Sequence, residues 1–261
     1  MTIVPALFIG HGSPMNILED NSYTRFLETY DIGKPAAIVV VSAHWVTRGS
    51  RITAASLPPQ IYDFYGFPEE LYRFDYQMPG APDLAKRISV ASAGKIVPDE
   101  SRGIDHAAWA VLCRMFPKDK VSGIGISIPV LEISLDAEMS FREHYALAGI
   151  LAQFRKEGVL FIGSGNMIHN LGELSYAEDD TPYDWAAELD AWFGDRLEAR
   201  DHDALLEASS LAPQFHRGAP TTEHFIPLLY TLGMCLPGER IRTIHASMHY
   251  ASLSMRAIEI S

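Results

Sequence analysis

Ala36–Trp45, AAIVVVSAHW, is the stretch on which the fold turns. The unbroken apolar run Ala37 to Val41 predicts a strand buried on both faces, as in a parallel sheet covered by helices. The strand is expected to stop at Ser42-Ala43 and to present His44 at the rim where open α/β sheets place their ligands. Upstream, Val4–Ile9 has the same apolar character and is ended by Gly10-His11-Gly12-Ser13-Pro14, whose glycines allow a sharp turn and whose proline stops the strand. A helix over Ser22–Tyr30, closed by Gly33, links the two strands into a β-α-β unit.

Downstream, Arg51–Ala55 reads as a short extra strand, and Leu57–Pro82 as an irregular segment dense in Tyr and Phe. Such a segment is either a lid that lines a pocket or an excursion whose rings staple it to the body. A helix over Asp83–Ala93 and a brief strand at Lys95–Val97 follow. Asp105 then caps a helix that begins at His106 and turns Trp109, Leu112, Cys113 and Phe116 to one face. Val121–Ile128 is expected to be a buried strand and Ser140–Glu157 a long helix. Val159–Ile162 is another apolar strand, left through Gly163-Ser164-Gly165-Asn166 and followed by His169. Tyr183–Ala199 is amphipathic, with Trp185, Leu189, Trp192 and Phe193 inward, and Thr221 or Thr222 caps a helix with Pro227 in its first turns and His224 near its start. Arg240–Ala246 and Leu253–Ile260 alternate and close the chain as an antiparallel hairpin. These features predict an α/β fold: a single domain over residues 1–261, with a central, mostly parallel sheet flanked by helices and a C-terminal antiparallel hairpin.

The formal net charge of −12 disfavours nucleic acid and anionic lipid as partners, and Arg48 and Arg51 make no more than a solvated edge. Cys113 and Cys235 lie far apart in segments that read as apolar helices, as buried reduced thiols do. A basic leader is missing from MTIVPALFIGHG, and no apolar run reaches the roughly 20 residues that span a bilayer, so a cytoplasmic location is expected. The sequence leaves a homo-oligomer open as the assembly.

His11, His44 and His169 each follow a different buried strand, and carboxyl ends of parallel strands share one edge, so the three converge if their strands are neighbours. His224, at the positive end of a helix, is a fourth candidate whose ring is kept neutral. Imidazoles without thiolates suit Zn(II), Fe(II), Cu or Ni and not Mg or Ca. Four histidines would close the site, whereas three ligands with one histidine left for proton transfer would open it to chemistry. His106 could then shuttle a proton, or serve with Asp105 only as a helix cap.

Gly10-His11-Gly12-Ser13-Pro14, Ser42-Ala43-His44-Trp45, Gly103-Ile104-Asp105-His106, Gly163-Ser164-Gly165-Asn166 with His169-Asn170-Leu171, and Glu223-His224-Phe225 resemble, in order, the class III extradiol ring-cleavage dioxygenases. Within them the chain is most similar to the DOPA 4,5-dioxygenase-like branch. The resemblance implies Fe(II), or Zn(II) in its place, held by His11, His44 and His224. His169 would be the acid/base or a fourth ligand, and His106 a second proton carrier. The substrate would be a small aromatic diol together with dioxygen, bound against Ser13, Trp45, Phe64 and Tyr65. Better known relatives use a glutamate as third ligand; here Glu223 and His224 are neighbours near a helix start, where side chains point about 100° apart, and His224 is the one expected to face the metal. Two alternatives draw on the same histidines: a zinc-dependent hydrolase with Glu223 as base, and a tetrapyrrole metal chelatase, which shares the Gly-His-Gly-Ser turn but gives His224 no role.

Overall fold

The computed structural model describes residues 3–118, 125–176 and 181–261. Its centre is an eight-stranded sheet built from β1 (Ala6–Gly10), β2 (Ala37–Thr47), β3 (Ser50–Thr53), β4 (Ile96–Asp99), β5 (Val130–Asp136), β6 (Val159–Gly165), β7 (Ile241–His245) and β10 (Ala257–Ile260), in the order β4-β3-β5-β2-β6-β1-β10-β7. A separate two-stranded ribbon pairs β8 (Met248–His249) with β9 (Leu253–Ser254). The inner strands β5, β2, β6 and β1 run parallel, and β10 and β7 are antiparallel additions at one edge. The expected C-terminal hairpin is therefore present, with β7 paired to β10 and the small ribbon between them in sequence.

Successive residues of the buried strands feed opposite faces, as a period of two requires. Phe8, Val39, Val41 and Phe161 pack under the helices Phe141–Leu151, Asp184–Glu198 and Ile226–Gly233. Leu7, Ile9, Ile38, Val40 and Ile162 pack under Ser22–Thr29 and His106–Met115. Both faces of the inner sheet are thus covered, which is why these strands read as continuous apolar runs. Among the described residues no helix is long and apolar enough to cross a membrane.

Several expectations need correction. β1 and β2 are parallel but not partners, because β6 lies between them. β2 does not stop at Ala43; its pairing with β5 lapses after Val41 and resumes at Val46, so His44 sits on a looped-out stretch inside a longer strand. Residues 121–124 of the strand expected at Val121–Ile128 lie outside the described residues, and Gly125 makes only an isolated bridge to Gln77. The buried strand is Val130–Asp136 instead. Gly163 and Gly165 lie within β6 and do not turn the chain; a Cβ on them would stand 2.3 Å from the Pro227 carbonyl oxygen and 2.2 Å from that of His224. They admit the His224 backbone against the sheet. The following helix starts at Ile226 after Phe225, with Pro227 in its first turn and no side-chain cap from Thr221 or Thr222. Cys113 and Cys235 are free and half-buried, and Cys235 lies just past that helix.

Candidate metal centre

Three imidazoles meet above the strand ends. His11 follows β1, His44 rides on the loop-out of β2, and His224 is laid against the end of β6 by Gly165. His44 Nε2 is 3.3 Å from His11 Nε2 and 3.2 Å from His224 Nε2. One nitrogen from each ring falls within 4.8 Å of the others.

The second nitrogen of each ring explains that orientation. Ser164 Oγ donates its single proton to the Ala107 carbonyl at 2.6 Å, so its 3.1 Å contact with His11 Nδ1 must be accepted from the ring. That places the His11 proton on Nδ1 and leaves the Nε2 lone pair facing inward. His224 Nδ1 donates to Glu223 Oε1 at 3.2 Å, and the Thr221 hydroxyl holds the same oxygen at 2.7 Å. His44 Nδ1 lies 3.1 Å from Asp63 Oδ2, an ion-pair contact too poorly aligned for a full hydrogen bond but of the same polarity. All three rings therefore present lone pairs to one point.

Lone pairs so arranged repel unless a cation lies between them, and their spacing suits one. Nitrogens held tetrahedrally about 2.0–2.1 Å from a single ion stand about 3.3–3.4 Å apart. Burial, followed by the neighbouring histidines, drives His11 and His224 well below the usual imidazole range, which keeps them in the neutral, ligating form. At His44 burial pulls downward, but Asp63, Asp105 and Glu223 outweigh it and raise the ring. The donor set fits a divalent transition metal.

His169 and His106 flank this point. The His169 ring is stacked on that of His224, with centroids 3.5 Å apart and planes 6° from parallel. Burial, then His44, lowers His169 to about 4, so it is neutral near pH 7. His106 is edge-on to His44 at 4.2 Å, and both its backbone N–H and its Nδ1 contact Asp63 Oδ1, at 3.0 and 2.9 Å. His44, Asp63 and His106 are also close enough to form a metal-binding group, but their Nδ1-to-oxygen distances are those of hydrogen bonds.

The expected substrate contacts are placed unevenly. Phe64 is edge-on to His106 at 5.5 Å and shields that side, whereas Tyr65 is 91 % exposed. Trp45 is buried beneath the Arg102 guanidinium, and the Ser13 hydroxyl accepts from Met15 N–H in the turn after His11. The ring-rich segment is stapled onto the His106–Met115 helix through Trp109, which meets Tyr62 and Phe74 and donates to the Ile61 carbonyl. Asp63 and Ser164 were missed in the sequence. A lone carboxylate between Tyr62 and Phe64 was the available signal for Asp63, since a half-buried acid among rings needs a cationic or donor partner.

Residues 5–257 match the family described as the catalytic LigB subunit of aromatic ring-opening dioxygenase. The chain is 39 % identical over 268 residues to a 4,5-DOPA dioxygenase extradiol of Escherichia coli K12, covering 99 % of this chain and 95 % of that one. It is 35 % identical over 254 residues to a protein of the same name from Beta vulgaris, covering 94 % and 92 %. The crystal structure of an uncharacterized Escherichia coli K12 protein superposes with a TM-score of 0.79 at 33 % identity, over 99 % of this chain and 100 % of that one.

Proposed function

The chain belongs to the LigB family of aromatic ring-opening dioxygenases, and on that premise we propose that it opens a catechol-type ring beside its two hydroxyls, in the extradiol sense, with dioxygen as co-substrate. DOPA or a small catechol is the substrate in this reading, as the names of its relatives suggest. The observation that carries it is the convergence of three imidazole nitrogens, with His44 Nε2 at 3.3 and 3.2 Å from those of His11 and His224, and two further imidazoles beside them.

His11, His44 and His224 would hold iron(II), with zinc(II) able to take the same place. When bound, the ion supplies Lewis acidity toward the catechol oxygens and a route for electrons between ring and dioxygen. The remaining steps belong to the chain. His169, neutral near pH 7, accepts the proton of a catechol hydroxyl and returns it as the ring opens. His106, held by Asp63 through Nδ1 and edge-on to His44, is the second proton carrier. Phe64 excludes water from that side.

A hydrolase would need Glu223 as a free base, but its Oε1 already serves His224 and Thr221. The test is anaerobic loading of the apoprotein with Fe(II), addition of DOPA or catechol, and admission of oxygen. Oxygen uptake with a yellow ring-opened product is expected. No uptake across a catechol panel, with iron shown to be bound, would overturn the reading.

A further inference from the structure

Behind the loop-out of β2 is a buried charged group that no step above employs. Asp105 and Glu132 are both fully buried, the second from the middle of β5. Arg102 reaches Asp105 Oδ2 at 3.0 Å and Glu132 Oε1 at 3.9 Å. Glu132 Oε1 and Arg102 Nε form no hydrogen bond. Removing such groups from water costs more than their attraction returns, and an apolar trio would hold the layers together as well or better. Their value therefore lies in what they position.

The bonds lead to both sides of the metal centre. Ser42 Oγ lies 2.9 Å from each Asp105 carboxylate oxygen and donates to that carboxylate, while accepting the His44 N–H at 3.0 Å. Because residues 42–45 have no partner on β5, this side-chain relay replaces the ladder that would otherwise hold them. On the other side Asp105 Oδ1 accepts from Ala107 N–H at 3.1 Å and caps the helix whose first residue is His106. The Asp105 N–H is itself anchored on Glu132 Oε2 at 2.9 Å.

We propose that Asp105 is a positioning residue that sets the spacing between His44 and His106, through Ser42 on one side and the helix start on the other, with Arg102 and Glu132 holding it in place. The proposal rests on the reading of His11, His44 and His224 as a metal site. Burial and the nearby Asp105 push the Glu132 carboxyl well above its usual range.

The test uses Co(II) alone as probe, with its absorption bands reporting coordination geometry and a competing chelator giving the dissociation constant. Ser42→Ala should weaken Co(II) binding about tenfold and shift the bands, both read at a temperature where the apoprotein variant is shown to be folded. Ser42→Thr, which keeps the hydroxyl, should restore both. Asp105→Asn should add a loss of kcat at saturating metal, because His106 moves as well. Equal losses in the two Ser42 variants, or none in either, would overturn the proposal even if Asp105→Asn fails to fold. Failure of the unaltered protein to bind Co(II) would instead overturn the metal centre, and the spacing proposal with it.

Discussion

The two ends of the parallel strands handle buried polar groups in opposite ways. At the amino end, Arg155 is fully buried and spends all of its donors: Nε on the Val4 carbonyl, Nη1 on Met234 and Glu239, Nη2 on Glu239 and Ile260. Nothing is left for another molecule. At the carboxyl end, the Nδ1 side of each histidine of the candidate metal centre is provided for by the chain, while the Nε2 atoms turn toward one another. Saturation by the chain marks a structural clasp, and lone pairs aimed at a shared point mark a place built for an outside partner.

That contrast can be broken at either end. The largest effect is expected from His44→Ala, which should remove bound metal and lower turnover about a thousandfold or more, as read by metal analysis and an oxygen electrode. Metal retained in that variant would dissolve the distinction. Next, Arg155→Ala should cost about 3–5 kcal/mol in urea unfolding, because Glu239 and the Val4, Met234 and Ile260 carbonyls lose their partner. Metal affinity per folded molecule should not change, and a fall would mean that the ends are coupled.

A smaller change sharpens the comparison. Ser164→Ala removes the acceptor that fixes the His11 proton on Nδ1, and should weaken metal binding about 10–100-fold. The smallest effect concerns His144, a fully buried histidine bonded to the Tyr230 hydroxyl and outside both ends. Burial lowers it from the usual imidazole value of 6.5 to about 4. Between those values the unfolded chain binds a proton that the folded chain refuses, so stability falls as pH drops from 6.5 toward 4. In pH-dependent unfolding of the apoprotein, His144→Gln should flatten that limb by at most one proton, about 1.4 kcal/mol per pH unit. An unchanged slope would show that His144 protonates in place.

Local pattern carried the inner sheet. The apolar runs of β1, β2 and β6 are buried on both faces, and a histidine beyond each strand core is visible without any tertiary contact. β5 was hidden because Glu132 and Ser134 interrupt VLEISLD, and their burial is tolerated only through distant partners, the Asp105 N–H for Glu132 and the Arg51 N–H for Ser134. Asp63 was hidden for the same reason, since the two histidines that bind it stand elsewhere in the chain. The role of Gly163 and Gly165 could not be read locally either, because what they make room for is the backbone at residues 224–227. Periodicity reports which face a residue shows, and long-range polar pairing leaves no periodic trace.

The spread of the three proposed ligands along the chain has a consequence for synthesis. His11 and His44 emerge early, but His224 is made in the last fifth of the sequence and must dock beside the glycines of β6 before the third nitrogen is in place. A nascent chain that has reached only residue 200 can offer the ion no more than a loose pair of these rings. Tight capture therefore waits for the native arrangement, and because an ion that prefers the native state stabilises it by mass action, loading the metal would lock in a chain that has already finished folding.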